Sequence, residues 1–173
     1  MWLTISQVNA TLQAGLRSVG GIFSSRTTPS QASQELNKLS TNLWVFVDIT
    51  TLSLKPNDIQ TKNLPQGIAV GVSFSKATSA IKNLATPISP ADANTILNNF
   101  KVVQTNTLAF IAFYKTQTSS YNKVMPGIYK FGLDTLRDLF NSLSDALATV
   151  DPSSISPETI KQLQSSVTSS AAL

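Results

Sequence analysis

Apolar side chains return every three or four residues along most of this chain, the spacing of one face of an α-helix. Ile5, Val8, Leu12, Leu16, Val19 and Phe23 make the first such stripe. Gly20-Gly21 weakens it, and the stretch from Ser24 to Pro29 reads as a loop. Ser30 is the expected N-cap of a second helix bearing Ala32, Leu36, Leu39, Leu43, Phe46 and Val47. Residues 44–54 are rich in β-branched and aromatic side chains, yet they continue the helical period, and helix is expected there. Lys55-Pro56-Asn57-Asp58 and Leu64-Pro65 punctuate a connection. Ile68 to Phe74 alternates like a strand, but Ala77, Ile81 and Leu84 follow with helical spacing. A lone strand would have no partner in this chain, so helix is preferred again.

Three further starts are written more openly. Ser89-Pro90-Ala91-Asp92 sets a capping hydroxyl before a first-position proline and a first-turn carboxylate, which also meets the positive end of the helix dipole. Ala93, Ile96, Phe100, Val103, Thr107, Phe110 and Tyr114 follow on one stripe. Met125-Pro126-Gly127 opens another helix, with Ile128, Leu136, Leu139, Leu143, Ala146, Leu147 and Val150 on its face, and Asp151-Pro152 closes it. Ser156-Pro157-Glu158-Thr159 repeats the start signature before Ile160, Leu163 and Val167, and residues 169–173 are expected to fray. The expectation is an all-α fold: one domain over residues 1–173, a bundle of five to six mostly antiparallel helices with the first peripheral.

Composition narrows the chemistry. The 173 residues include no cysteine and no histidine. Disulfides, thiolate nucleophiles and the usual Ser-His-Asp and Cys-His constellations are therefore excluded. No metal constellation is present, and no cofactor is expected: only Asp134 and Asp138 share a helix face among the acids, with Arg137 beside them. Val19-Gly20-Gly21-Ile22 lacks the lysine and spacing of a phosphate loop. A Ser-Lys hydrolase built on Ser75-Lys76 or Ser142 is the weakest of the readings, so the chain is expected not to be an enzyme. The net charge of +4 comes from scattered lysines and only Arg17, Arg26 and Arg137, without the clustering that tracks phosphates, so no nucleic-acid partner is expected. No run approaches the ~18 apolar residues of a membrane span, and the first residues lack the look of a signal peptide. Charged residues are 13% of the chain, and serine with threonine about a quarter, so its polar surface is largely hydroxyl and amide.

The most informative segment is Leu108-Ala109-Phe110-Ile111-Ala112-Phe113-Tyr114, apolar on every side of the helix, whereas an ordinary surface helix needs a stripe of only about 100°. Such a helix is either central or faces a cavity with its second side. Large rings near small residues such as Gly71, Ala77 and Gly132 can interdigitate or leave a tunnel.

From Ala77 onward the chain resembles the fungal hydrophobic surface binding protein family, also called cell-wall galactomannoproteins. The resemblance lies in Ala77-Thr78-Ser79-Ala80-Ile81 and in Ile88-Ser89-Pro90-Ala91-Asp92-Ala93-Asn94-Thr95-Ile96. It continues in the apolar helix to Tyr114, the polar connection to Tyr121, Leu133-Asp134-Thr135-Leu136 with Leu143 and Ala146-Leu147, and the break at Pro152. It covers roughly the last hundred residues and is a pattern of helices, not of catalytic motifs. It implies an all-α bundle, secreted or in the cell wall, that adsorbs to hydrophobic surfaces or holds fatty acids in an apolar cavity. Asn9-Ala10-Thr11 is a glycosylation sequon compatible with that setting.

The expected function is non-enzymatic binding of a fatty acid or other lipid by a monomer or weak homo-oligomer. The chain would lie among Phe74, Phe100, Phe110, Phe113, Tyr114, Leu136, Phe140 and Leu143, with Tyr114, Tyr121 and Lys123 meeting a carboxylate head. The alternative is an adhesion protein that adsorbs to hydrophobic surfaces without a stoichiometric ligand.

Overall fold

The helical stripes appear as helices. The computed structural model describes residues 3–19, 25–52 and 55–173, so Gly20-Gly21, Phe23 and the end of the segment at 44–54 lie outside the described residues. In chain order the elements are α1 (Ile5–Ser18), α2 (Pro29–Leu52), α3 (Pro56–Asp58), a π-helical turn (Ile59–Asn63), α4 (Leu64–Lys82), α5 (Pro90–Thr116), α6 (Thr118–Val124), α7 (Ile128–Val150) and α8 (Pro157–Ala171). Among the described residues there is no strand, and no helix is long and apolar enough to cross a membrane. A bridge of β type joins Thr27 to Leu84, where Thr27 N donates to the Asn83 carbonyl and Ala85 N to the Thr27 carbonyl.

Local chemistry explains each boundary. Ser89 accepts from Asp92 N and donates to the Asp92 carboxylate, and Ser156 accepts from Thr159 N. The second helix begins two residues earlier than expected. Thr28, not Ser30, is its cap: Thr28 Oγ1 accepts from Gln31 N while the Gln31 side chain accepts from Thr28 N. That reciprocal box leaves Pro29 at the first helical position, where a missing N–H costs nothing. Gly127 caps α7 at φ +86°, a left-handed conformation that favours glycine.

The segment around Pro56 and Pro65, read as a connection, is helical instead. Leu64 N donates to the Ile59 carbonyl, closing a π turn immediately before Pro65. Proline has no N–H for the ladder, and one extra residue in the turn lets helical backbone run past it. The C-terminus also differs: α8 continues to Ala171, which is buried, and Lys115 Nζ donates to the Ala172 carbonyl at 2.7 Å.

Successive long helices reverse direction. Phe46 lies against Gly67 and Asn42 bonds Ser73, so α2 and α4 are antiparallel. Tyr114 stacks on Tyr129 and Phe100 on Phe140, so α5 and α7 are antiparallel as well. Asn141 with Thr168, and Asp145 with Gln164, give the same relation for α7 and α8. The packing order α2, α4, α7, α8, α5 and back to α2 makes a ring, with α1 laid on α4 outside it. A single hydrophobic cluster fills the ring, from Leu36, Leu39 and Leu43 across Phe74, Phe100 and Phe140 to Ile160 and Val167.

Asp151 ties two connections together. Its carboxylate accepts from Ser153 Oγ at 2.6 Å and from Ile88 N at 3.3 Å, joining the end of α7 to the segment before α5. The Ser153 bond first, then Ile88, hold its carboxyl below the usual range against the opposing effect of burial. A depressed folded-state value means the stabilisation is present above the unfolded value near 4 and is lost as pH falls through the folded one. Asp151→Asn is expected to lower the urea midpoint at pH 7, because the amide cannot accept both bonds as the carboxylate does. Urea titrations at a series of pH values should show that deficit shrinking below pH ~4.

Candidate functional site

The bundle is not filled everywhere. A cavity of about 90 Å³ lies between α1, α4 and α7, its inner end closed by rings of α2, α5 and α6. Val8 and Leu12 of α1 roof it, Gly67 and Gly71 of α4 and Gly132 of α7 lie along its walls, and Phe46, Phe110 and Tyr114 back it. For scale, an engineered apolar cavity of ~150 Å³ holds benzene.

Tyr114 organises the inner end. Its ring stacks on Tyr129 at 5.3 Å, meets Tyr121 edge-on at 4.6 Å, and touches the pair Phe46–Phe110, themselves stacked at 4.2 Å. Its hydroxyl donates to the Ile128 carbonyl at 3.1 Å. Burial, then the neighbouring Tyr121 and Tyr129, push its phenol above the ordinary value. Burial raises Tyr121 too, against a lowering by the Asn63 bond. Both phenols are therefore neutral hydrogen-bonding groups at physiological pH, not bases.

Asn63 ends the π turn, almost wholly buried in the cavity wall. Its Nδ2 donates to Tyr121 Oη at 2.9 Å, and its Oδ1 has no hydrogen-bond partner. Among the described residues no lysine, arginine or carboxylate lines the cavity.

Of the residues expected to hold a ligand, Phe110, Tyr114, Tyr121 and Leu136 come together at this cavity. Phe74, Phe100, Phe140 and Leu143 are fully buried elsewhere in the core, where Phe140 stacks on Phe100 and meets Phe74 edge-on. They fill space and border none of the cavity. Phe113 is half-buried and Lys123 exposed, and neither reaches it. The apolar run of α5 divides: Phe110 and Tyr114 face the cavity, Ile111 enters the core and Ala112 is exposed. The glycines at 67 and 71, one turn apart, were the signal available for the α4 wall. Asn63 carried none, being one polar residue in an apparent connection.

The other candidate chemistry resolves into surface features. Asp134 and Asp138 both pair with Arg137 at 3.1 Å, and Lys130 holds Asp134 at 2.7 Å. Ser142 lies on a solvent-open hollow with Lys82, Asp138 and Asp145. No protein family, curated protein or solved structure matches the chain.

Gly132 measures how tightly the inner end is built. A Cβ there would fall 2.7 Å from Tyr114 Oη and 3.1 Å from its ring, so the buried tyrosine would have to move. Gly132→Ala is expected to cost about 1–3 kcal/mol despite its better helix propensity. Tyr114→Phe alone should cost about 1 kcal/mol. In a double-mutant cycle the alanine should cost clearly less in the phenylalanine background, and strict additivity would refute the contact.

Proposed function

We propose that this protein binds a slender apolar molecule, a fatty acid or other lipid chain, in the cavity between α1, α4 and α7, and catalyses no reaction. The observation that supports it is a hole in an otherwise close-packed bundle, walled by apolar side chains and roofed by one peripheral helix. Interiors of this kind are normally filled. The resemblance to the fungal surface-binding family points the same way, and a secreted or wall location goes with it.

As it stands the cavity is far smaller than the ~300–1,000 Å³ that buries a drug-sized ligand. α1 is the natural source of the missing space. It packs chiefly on α4, with Val8 and Leu12 as its buried contacts, and the Cδ1 of Leu12 occupies the place a Gly71 side chain would take. Lifting α1 exposes two apolar side chains, a loss of about 3–6 kcal/mol. An acyl chain burying ten methylenes in the groove left behind gains about 8 kcal/mol before ordering costs, enough to hold the helix aside.

Among the described residues the exposed apolar side chains form no contiguous face of the kind the adhesion alternative would use. Leu3, Trp44, Val102 and Leu173 are large, apolar and exposed, but Trp44 and Val102 are on different helices and the other two are near the chain ends. Scattered single side chains are ordinary on soluble proteins.

The absence of cysteine makes a direct test possible. A Cβ at Gly15 would lie 2.7 Å from Val72 Cγ2, within reach of a disulfide between α1 and α4. The Gly15→Cys/Val72→Cys variant, reduced, should take up C14–C20 fatty acids as the parent does, and oxidation should weaken binding at least tenfold. Equal binding in both states would place the chain somewhere other than under α1. Failure of every C14–C20 chain, fatty acid and fatty alcohol alike, to bind the parent protein by native mass spectrometry would sink the function itself.

A further inference from the structure

The polar side chains that line the cavity are Asn63, Tyr114, Tyr121 and Thr135. Two groups of the wall, Asn63 and Tyr121, already touch each other, and each keeps something in reserve. The Asn63 amide gives Nδ2 to Tyr121 Oη and leaves Oδ1, a carbonyl-type acceptor, unpaired in the interior. The Tyr121 oxygen accepts that bond, and among the described residues nothing takes its own proton. Tyr121 is fully buried, as Asn63 is, so bulk water does not complete either group. Tyr114 is not a third member, since its proton is committed to the Ile128 carbonyl.

From this pair we propose that Asn63 and Tyr121 form the head-group subsite of the cavity, and that its ligand ends in a hydroxyl group and not in a carboxylate. The inference rests on the binding function proposed above and specifies its chemistry. One free acceptor and one free donor side by side are the complement of an alcohol: its O–H donates to Asn63 Oδ1 and its oxygen accepts from Tyr121. An ether matches only the donor. A carboxylate has no proton to give, would set its charge against the lone pairs of Oδ1, and would find no cation in the cavity wall to offset its desolvation. Lys123, the expected carboxylate partner, is exposed and not part of the wall.

The test is displacement of the neutral fluorophore N-phenyl-1-naphthylamine from the full chain by three ligands of equal length: decan-1-ol, nonyl methyl ether and decanoate at pH 7.5. Decanol should bind at least tenfold tighter than either of the others, the scale of one well-made hydrogen bond. Asn63→Leu, which replaces the unpaired amide by an apolar side chain of similar size, should bring decanol to within threefold of the ether while leaving the ether itself within threefold. Tyr121→Phe, which keeps the ring, should reduce the preference in the same direction, and provides the readout if Asn63→Leu does not fold. Equal binding of all three ligands to the parent protein, or tighter binding of decanoate, would overturn the head-group assignment and leave the cavity function standing. Failure of every ligand and of the fluorophore to bind would overturn both.

Discussion

The inner end of this bundle depends on where one tyrosine can put its hydroxyl. Tyr114 closes the apolar run of α5, so its ring is driven inward with the rest. A buried phenol needs a hydrogen-bond partner, and an unmade bond would cost about 1–3 kcal/mol. The partner is the Ile128 carbonyl in the first turn of α7, and the ring reaches it only because residue 132, one turn on, has no side chain. That bond fixes α5 against α7 in register. The surrounding rings of Phe46, Tyr121 and Tyr129 then fix α2 and α6 around the same point. The cavity begins where this aromatic cluster ends, so its inner wall is as rigid as the cluster, while its α1 side rests on a few aliphatic contacts.

Elsewhere many of the contacts that register the helices are neutral, although the Asp145 carboxylate of α7 accepts from Gln164 of α8. The ion pairs with resolved geometry all join residues one to four apart in sequence. Several of the polar bonds between helices join amide and hydroxyl: Asn42 to Ser73, Asn106 to Ser40, Gln104 to Ser166 and Thr168 to Asn141. Such neutral pairs can sit at a half-buried interface with a small desolvation cost, whereas an ion pair placed there loses much of its attraction to desolvation. The scarcity of charge in the composition and its wealth of serine, threonine and amide are thus partly a statement about interfaces, not only about the outer surface.

The long helices were legible because their signals are local. Period, capping hydroxyl and first-position proline together occupy a few residues each, and at Ser89 and Ser156 all three agree with the structure. The cavity was half legible. Phe110 and Tyr114 stood out as part of an all-round apolar helix, but the same reasoning selected Phe100 and Phe140, which only stack on each other. Composition cannot separate a ring that fills space from one that borders it; that depends on which helix faces which. The connection between Pro56 and Pro65 hid its role for a different reason. Two prolines nine residues apart look like punctuation, and only the π turn keeps helical backbone between them. Asn63 could not be found without that geometry.

The π turn, the cavity and the unpaired amide fall in one place, and their costs explain why that matters. A gap of about 90 Å³ between these helices forgoes contacts that a filled interior would make. The orphan Oδ1 of Asn63 adds about 1–3 kcal/mol. A leucine at position 63 would remove the second cost, and one larger side chain in the wall would remove much of the first. Net stabilities of whole domains are only about 5–15 kcal/mol, so a loss of this size concentrated beside a single helical turn is large. Departures from good packing that cluster in this way are expected at functional sites, in keeping with the binding role proposed above. A ligand that fills the void and satisfies the amide regains both terms together, binds the folded chain alone, and so draws its affinity from the stability the empty fold lacks.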